Sequence, residues 1–185
     1  SETCHKYGLY LFLDGARLGY GLAAPDNDLT LPDIAALCDV FYIGGTKVGA
    51  LFGEAVVIKN PELAQDFRYL IKQNGGMLAK GRLLGLQFDA LFTDGLYQEI
   101  SAHAIAMAEK LREAFTAKGY TYLAPNRTNQ IFVIVPDAHL EKIAEQFEYS
   151  YDQRIDATHS CVRFCTGWAT KEENVDALIR CVEKL

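Results

Sequence analysis

Three short runs of uninterrupted apolar residues constrain this chain most: residues 9–13 (LYLFL), 40–43 (VFYI) and 55–58 (AVVI). None alternates polar with apolar side chains. Strands of that kind belong to sheets covered on both faces, as in α/β proteins. A helix signal lies between the first two runs: Thr30 can cap it, Asp33 stands three residues on, and Ile34 and Leu37 supply an apolar face. Strand, helix, strand over this distance predicts a right-handed crossover and parallel pairing. The third run follows the second after only residues 44–54, too few for a crossover helix. It is therefore expected to run antiparallel.

Further along, the period changes. Asn60 is a good N-cap and Pro61 suits a first helical position, with Leu63, Phe67, Leu70 and Ile71 on one face. The Gly75-Gly76 pair should break that helix. A long helix is predicted over residues 96–117, with Ile100, Ala104, Met107, Leu111 and Phe115 inward and Gly119 as its stop. A strand over 131–135 and a helix bearing Leu140, Ile143, Ala144 and Phe147 follow. Then come a strand over 161–165 and a closing helix, with Thr170 and Glu173 as capping box and Val175, Leu178, Ile179 and Val182 buried. The pattern predicts an α/β fold in two parts. Residues 1–96 carry a mostly parallel sheet, and residues 97–185 form a smaller α/β domain.

Composition narrows the function. The formal net charge of −6 offers nucleic acid no long-range attraction. No apolar run reaches the roughly 18 residues a bilayer span needs, and residues 1–6 lack the apolar segment of a signal peptide. Five cysteines, an odd number without regular spacing, fit a reducing cytosol better than a disulfide framework. Cys161, Cys165 and His159 fall short of the four ligands of a tetrahedral zinc site, so no metal is expected.

The chemistry-bearing residues collect at strand ends. Asp14 and Arg17 follow the first apolar run, and Lys47 follows the second across Gly44, Gly45 and Thr46. In an open α/β sheet ligands bind beyond the carboxyl ends of the parallel strands, so a carboxylate, an arginine and a lysine share one rim. Taken singly, an aspartate after a strand is usually a turn former, and a lysine after glycines is usually a solvated charge. At period two, Arg163 shares a strand face with Cys161 and Cys165 while Val162 and Phe164 share the other. A strand-edge arginine in solvent is its plain alternative.

Leu13-Asp14-Gly15-Ala16-Arg17-Leu18 resembles the Asp-Gly-Ala-Arg signature of pyridoxal-phosphate (PLP) dependent threonine aldolases and β-eliminating lyases. Tyr42-Ile43-Gly44-Gly45-Thr46-Lys47 and the residues after it, to Ala55, resemble the family's cofactor-lysine segment. Thr128-Asn129-Gln130 entering a strand and Val162-Arg163-Phe164 before the last helix resemble its small-domain landmarks. The resemblance implies the C-terminal part of a PLP-dependent transferase large domain, residues 1–96, followed by a small C-terminal domain, residues 97–185. It implies Lys47 as the Schiff-base lysine, Asp14 on the pyridine nitrogen and Arg17 near the ring's phenolic oxygen or the phosphate. Thr46 would contact the phosphate or else simply cap the turn, and Arg163 would hold the substrate α-carboxylate. Lys72 or Arg82 could reach a phosphate in a neighbouring subunit.

The activity so implied is cleavage of threonine or allo-threonine to glycine and acetaldehyde. β-Elimination from another amino acid, or a module of this fold without activity, are the alternatives. A small amino acid as substrate, a cytosolic homodimer or homotetramer, and neither nucleic acid nor membrane as partner complete the expectation. Departures from the pattern exist: Phe12 stands where many relatives have a histidine, and the lysine follows Gly-Gly-Thr instead of Ser-x-Ser. The family's phosphate loop and ring-stacking histidine have no counterpart in these residues. The 185 residues alone are therefore expected to bind PLP poorly and to turn over little.

Overall fold

Both arms of the capping box at Thr30 form. Its hydroxyl accepts the Asp33 amide, and the Asp33 carboxylate accepts the Thr30 amide at 2.8 Å. In the computed structural model, which describes residues 1–185, this box opens α3 (Leu31–Leu37). Before it come α1 (Glu2–Lys6), β1 (Phe12–Leu13) and α2 (Leu18–Leu22); after it come β2 (Val40–Gly44) and β3 (Glu54–Ile58). The first sheet has the order β1-β2-β3, with β1 parallel to β2 and β3 antiparallel to it, as the connection lengths require.

One face of this sheet is covered and the other is not. Leu13, Ile43 and Val57 pack around a core of Leu18, Ile34, Cys38 and Phe41. On the opposite face Phe12 is 59% exposed and Val56 46%. Cover on both faces, expected from the continuous apolar runs, is thus absent from one side. Only α2 and α3 bring apolar stripes to this sheet's core cluster.

The chain continues through α4 (Phe67–Gln73), α5 (Arg82–Phe92), a 3-10 turn (Thr93–Gly95) and α6 (Leu96–Ala117). Residues 60–66 form turns instead of the expected helix start. Asn60 accepts the Glu62 amide, but Asp66 sits at φ +55°, which no continuous α-helix allows, so α4 begins at Phe67. Asn74 and Gly75 then end it. The long helix has the expected bounds, and Gly119 at φ +84° follows its end.

Beyond α6 lie β4 (Thr121–Tyr122), β5 (Gln130–Pro136), α7 (Asp137–Ala144), β6 (Ser150–Arg154), β7 (His159–Cys165) and α8 (Glu172–Glu183). Their sheet is antiparallel throughout, in the order β4-β5-β7-β6. Strand β5 alternates strictly: Ile131, Val133 and Val135 are buried against Leu111, Phe115, Leu140, Val162, Phe164 and Leu178. The expected capping box of α8 is not formed. The Thr170 hydroxyl instead accepts the Gly167 amide at 2.8 Å, and Lys171 takes the cap position without a side-chain bond.

The chain divides into two compact units, Ser1–Leu22 with Asn27–Glu99, and Ala23–Asp26 with Ile100–Leu185.

Candidate active site

The parallel register that aligns Phe12 with Val40 and Leu13 with Phe41 carries Asp14 to the side of Tyr42, just past the strand ends. Close backbone approach makes this junction. The Gly44 amide donates to the Gly15 carbonyl at 2.9 Å. A Cβ on Gly15 would fall 1.6 Å from the Tyr42 carbonyl oxygen, and one on Gly44 would fall 2.4 Å from that of Ala16. Only glycine fits either place.

Asp14 is exposed, and its Oδ1 accepts two donors, the Tyr42 hydroxyl and the Ala16 amide at 3.1 Å. The Tyr42 bond first, then the Ala16 amide, hold this carboxyl below the usual aspartate range; the Lys47 charge adds a smaller pull. The same bond to Asp14 and partial burial push the Tyr42 phenol up. The Phe12 ring lies 6.1 Å from that of Tyr42.

Lys47 is exposed, on the turn that leaves β2. Side chains from distant elements hold that turn. Tyr97 donates to the Gly44 carbonyl at 3.0 Å and accepts the Gly19 amide at 3.1 Å. Glu54 accepts the Gly45 amide with Oε2 and the Thr46 hydroxyl with Oε1 at 2.9 Å. Tyr20 donates to the Lys47 carbonyl. Tyr20 and Tyr97 are each 1% exposed, and burial pushes the Tyr97 phenol up to about 12.

The first unit therefore brings Asp14, Arg17, Thr46 and Lys47 to one rim, with Arg17 partly buried just before α2. Arg163 belongs to the second unit. It lies on the face of β7 opposite the buried Val162 and Phe164 and donates to Gln130 Oε1 at 3.3 Å. Its Nε is buried without a partner, as is Oδ1 of Asn129, whose amide nitrogen donates to the Thr166 carbonyl at 2.6 Å. Arg68, Lys72 and Arg82 line a cavity of about 780 Å³ around the Gly75-Gly76 break.

Sequence reading gave no role to Tyr20, Tyr42, Glu54 or Tyr97. Tyr42 was within reach, because a parallel register running on from the first two apolar strands sets it beside Asp14. Tyr97, on α6 and 53 residues from Gly44, carries no local signal.

Among families, that described as beta-eliminating lyase matches residues 1–138. The chain belongs to this family. Low specificity L-threonine aldolase of Pseudomonas sp. (strain NCIMB 10558) is 32% identical over 182 residues, and the Pseudomonas aeruginosa enzyme of that name is 30% identical over 181. Those alignments cover 96% and 97% of this chain but 51% of either relative. A Leishmania major threonine aldolase structure matches with a TM-score of 0.96 at 42% identity, covering 99% of this chain and 54% of that one. The chain thus spans about half the length of the beta-eliminating lyase relatives it matches.

Proposed function

We propose that this chain contributes the cofactor lysine and the ring-nitrogen carboxylate to a PLP-dependent carbon–carbon lyase. The full-length protein would cleave a β-hydroxy-α-amino acid, threonine or allo-threonine, to glycine and acetaldehyde. The observation that carries this reading is the ionised Asp14 sharing one glycine-built rim with Lys47. The residues fit the cofactor: Asp14 is exposed with its Oδ1 taken by two donors, and the buried Nε of Arg163 lacks an acceptor. When bound, PLP supplies an aldehyde that condenses with amines and a ring that draws electrons from the substrate α-carbon.

Lys47 offers the amine that holds the cofactor. Asp14, held ionised by Tyr42 and Ala16, keeps a proton on the ring nitrogen through a charge-assisted hydrogen bond. Arg17 lies on the same rim for the ring's phenolic oxygen or the phosphate. Arg163 grips the substrate α-carboxylate with a planar fork that a lysine could not reproduce. Exposed Leu78, Leu83 and Leu86 support assembly into a homodimer or homotetramer, and free cysteines support a reducing, cytosolic setting.

The family description favours a second reading, β-elimination. Supplying the full-length protein with L-threonine, L-allo-threonine and a β-leaving-group amino acid separates the two. Acetaldehyde in step with glycine is expected; pyruvate and ammonia without aldehyde would overturn the aldolase reading.

A further inference from the structure

We propose that Glu54 is the positioning residue of the Lys47 turn, and that Thr46 serves this carboxylate instead of a cofactor phosphate. The inference rests on Lys47 being the cofactor lysine. Glu54 opens β3 and pairs across the sheet with Gly44, the last residue of β2, so its side chain stands over the turn that follows. Its two oxygens are divided between two successive residues, Oε2 to the Gly45 amide and Oε1 to the Thr46 hydroxyl.

A threonine hydroxyl has a single proton to give. Here that proton goes to Glu54, which leaves Thr46 only acceptor capacity, and a phosphate has no use for another acceptor. The Gly45 site is equally closed: a Cβ there would sit 2.7 Å from the Gly53 carbonyl oxygen and 2.8 Å from Phe88. Tyr97 and Tyr20 donate to the Gly44 and Lys47 carbonyls. Donors and acceptors of four consecutive residues are thus fixed by three side chains, of which Glu54 alone is a carboxylate. Fixing them selects one direction for the Lys47 stem, which is what an amine must have to meet an aldehyde reproducibly.

The test uses Glu54→Gln, Glu54→Ala and Thr46→Val in the full-length protein. Glu54→Gln is nearly isosteric: its oxygen can still accept the Gly45 amide while its NH2 donates to the Thr46 hydroxyl, so it removes the charge with little loss of contact, whereas Glu54→Ala removes both bonds. In Glu54→Ala, amide hydrogen exchange of the peptide covering residues 44–50, measured without cofactor, should quicken at least about tenfold, as expected for losing a hydrogen bond to a charged acceptor. With cofactor, kcat should fall by a similar factor while KM stays within about twofold, since orientation is lost and substrate binding is not. Thr46→Val should leave the PLP dissociation constant within about twofold of wild type.

Unchanged exchange and kcat in Glu54→Ala would overturn the proposal. So would a rise of about tenfold or more in the PLP dissociation constant of Thr46→Val, the cost of a lost phosphate contact. If the wild type carries no cofactor on Lys47, the functional reading fails instead, while the exchange comparison still decides whether Glu54 holds the turn.

Discussion

Phe115, Ile131, Val133 and Val162 in the second unit are all fully buried, whereas Tyr7, Leu9, Tyr10 and Phe12 in the first are each more than half exposed. The contrast extends along both units. Large apolar side chains stand exposed from Tyr7 to Leu96 in the first, but in the second they are confined to Leu123, Tyr151, Ile155 and Trp168. A closed core in which helices cover one face of a four-stranded sheet is a self-sufficient way to bury surface. A three-stranded sheet whose edge strand is two residues long, with one face bare, is not. The bare face is also the one that bears Asp14 and Tyr42. The closed core lies in one unit, and the proposed cofactor residues Asp14, Arg17 and Lys47 lie in the other.

The sharpest way to break that contrast is a matched pair of truncations. Phe115→Ala, in the second core, is expected to cost about 3–5 kcal/mol in urea-induced unfolding. Leu51→Ala, at a side chain 86% exposed in the first unit, should stay within about 0.5 kcal/mol. A large cost at Leu51 would mean that the first unit buries this residue in solution, against a surface of another chain.

A smaller effect comes from acid. Asp156 accepts the amides of Thr158 and His159 and contacts the His159 ring, and these bonds, led by the Thr158 amide, bring its carboxyl down to about 2 from an ordinary 3.8. A depressed folded-state pKa gives stability that is full above about pH 4 and is lost as pH falls toward 2. Asp156→Asn should therefore lower the melting temperature slightly at neutral pH, where the contribution is full, and flatten its profile between pH 4 and 2, where wild type loses it. The effect is slight because the group is exposed. An unaltered acid profile would remove Asp156 from the account.

The two units also differed in how far they could be read from sequence. In the second, β5, β7, α6 and α8 were legible because each buries one regular stripe, as Ile131, Val133 and Val135 do at period two. In the first, the parallel pair and its antiparallel neighbour followed from connection length, but α2 and α5 went unread. Helix α5 leaves Leu83 and Leu86 in solvent, so it lacks the buried stripe that marks a helix. At the site, Asp14 and Lys47 were visible because strand ends gather ligands in this architecture. The bonds from Tyr97 and Tyr20 to the lysine turn were not, since contacts between residues 53 and 27 positions apart leave no local pattern.

The central claim, that Lys47 is the cofactor lysine, is tested most directly by borohydride reduction of the full-length protein with PLP, followed by peptide mass mapping. The account predicts one added pyridoxyl phosphate group on the peptide containing Lys47 and none in Lys47→Ala. Labelling of a different lysine, or no labelling at all in the wild type, would contradict it.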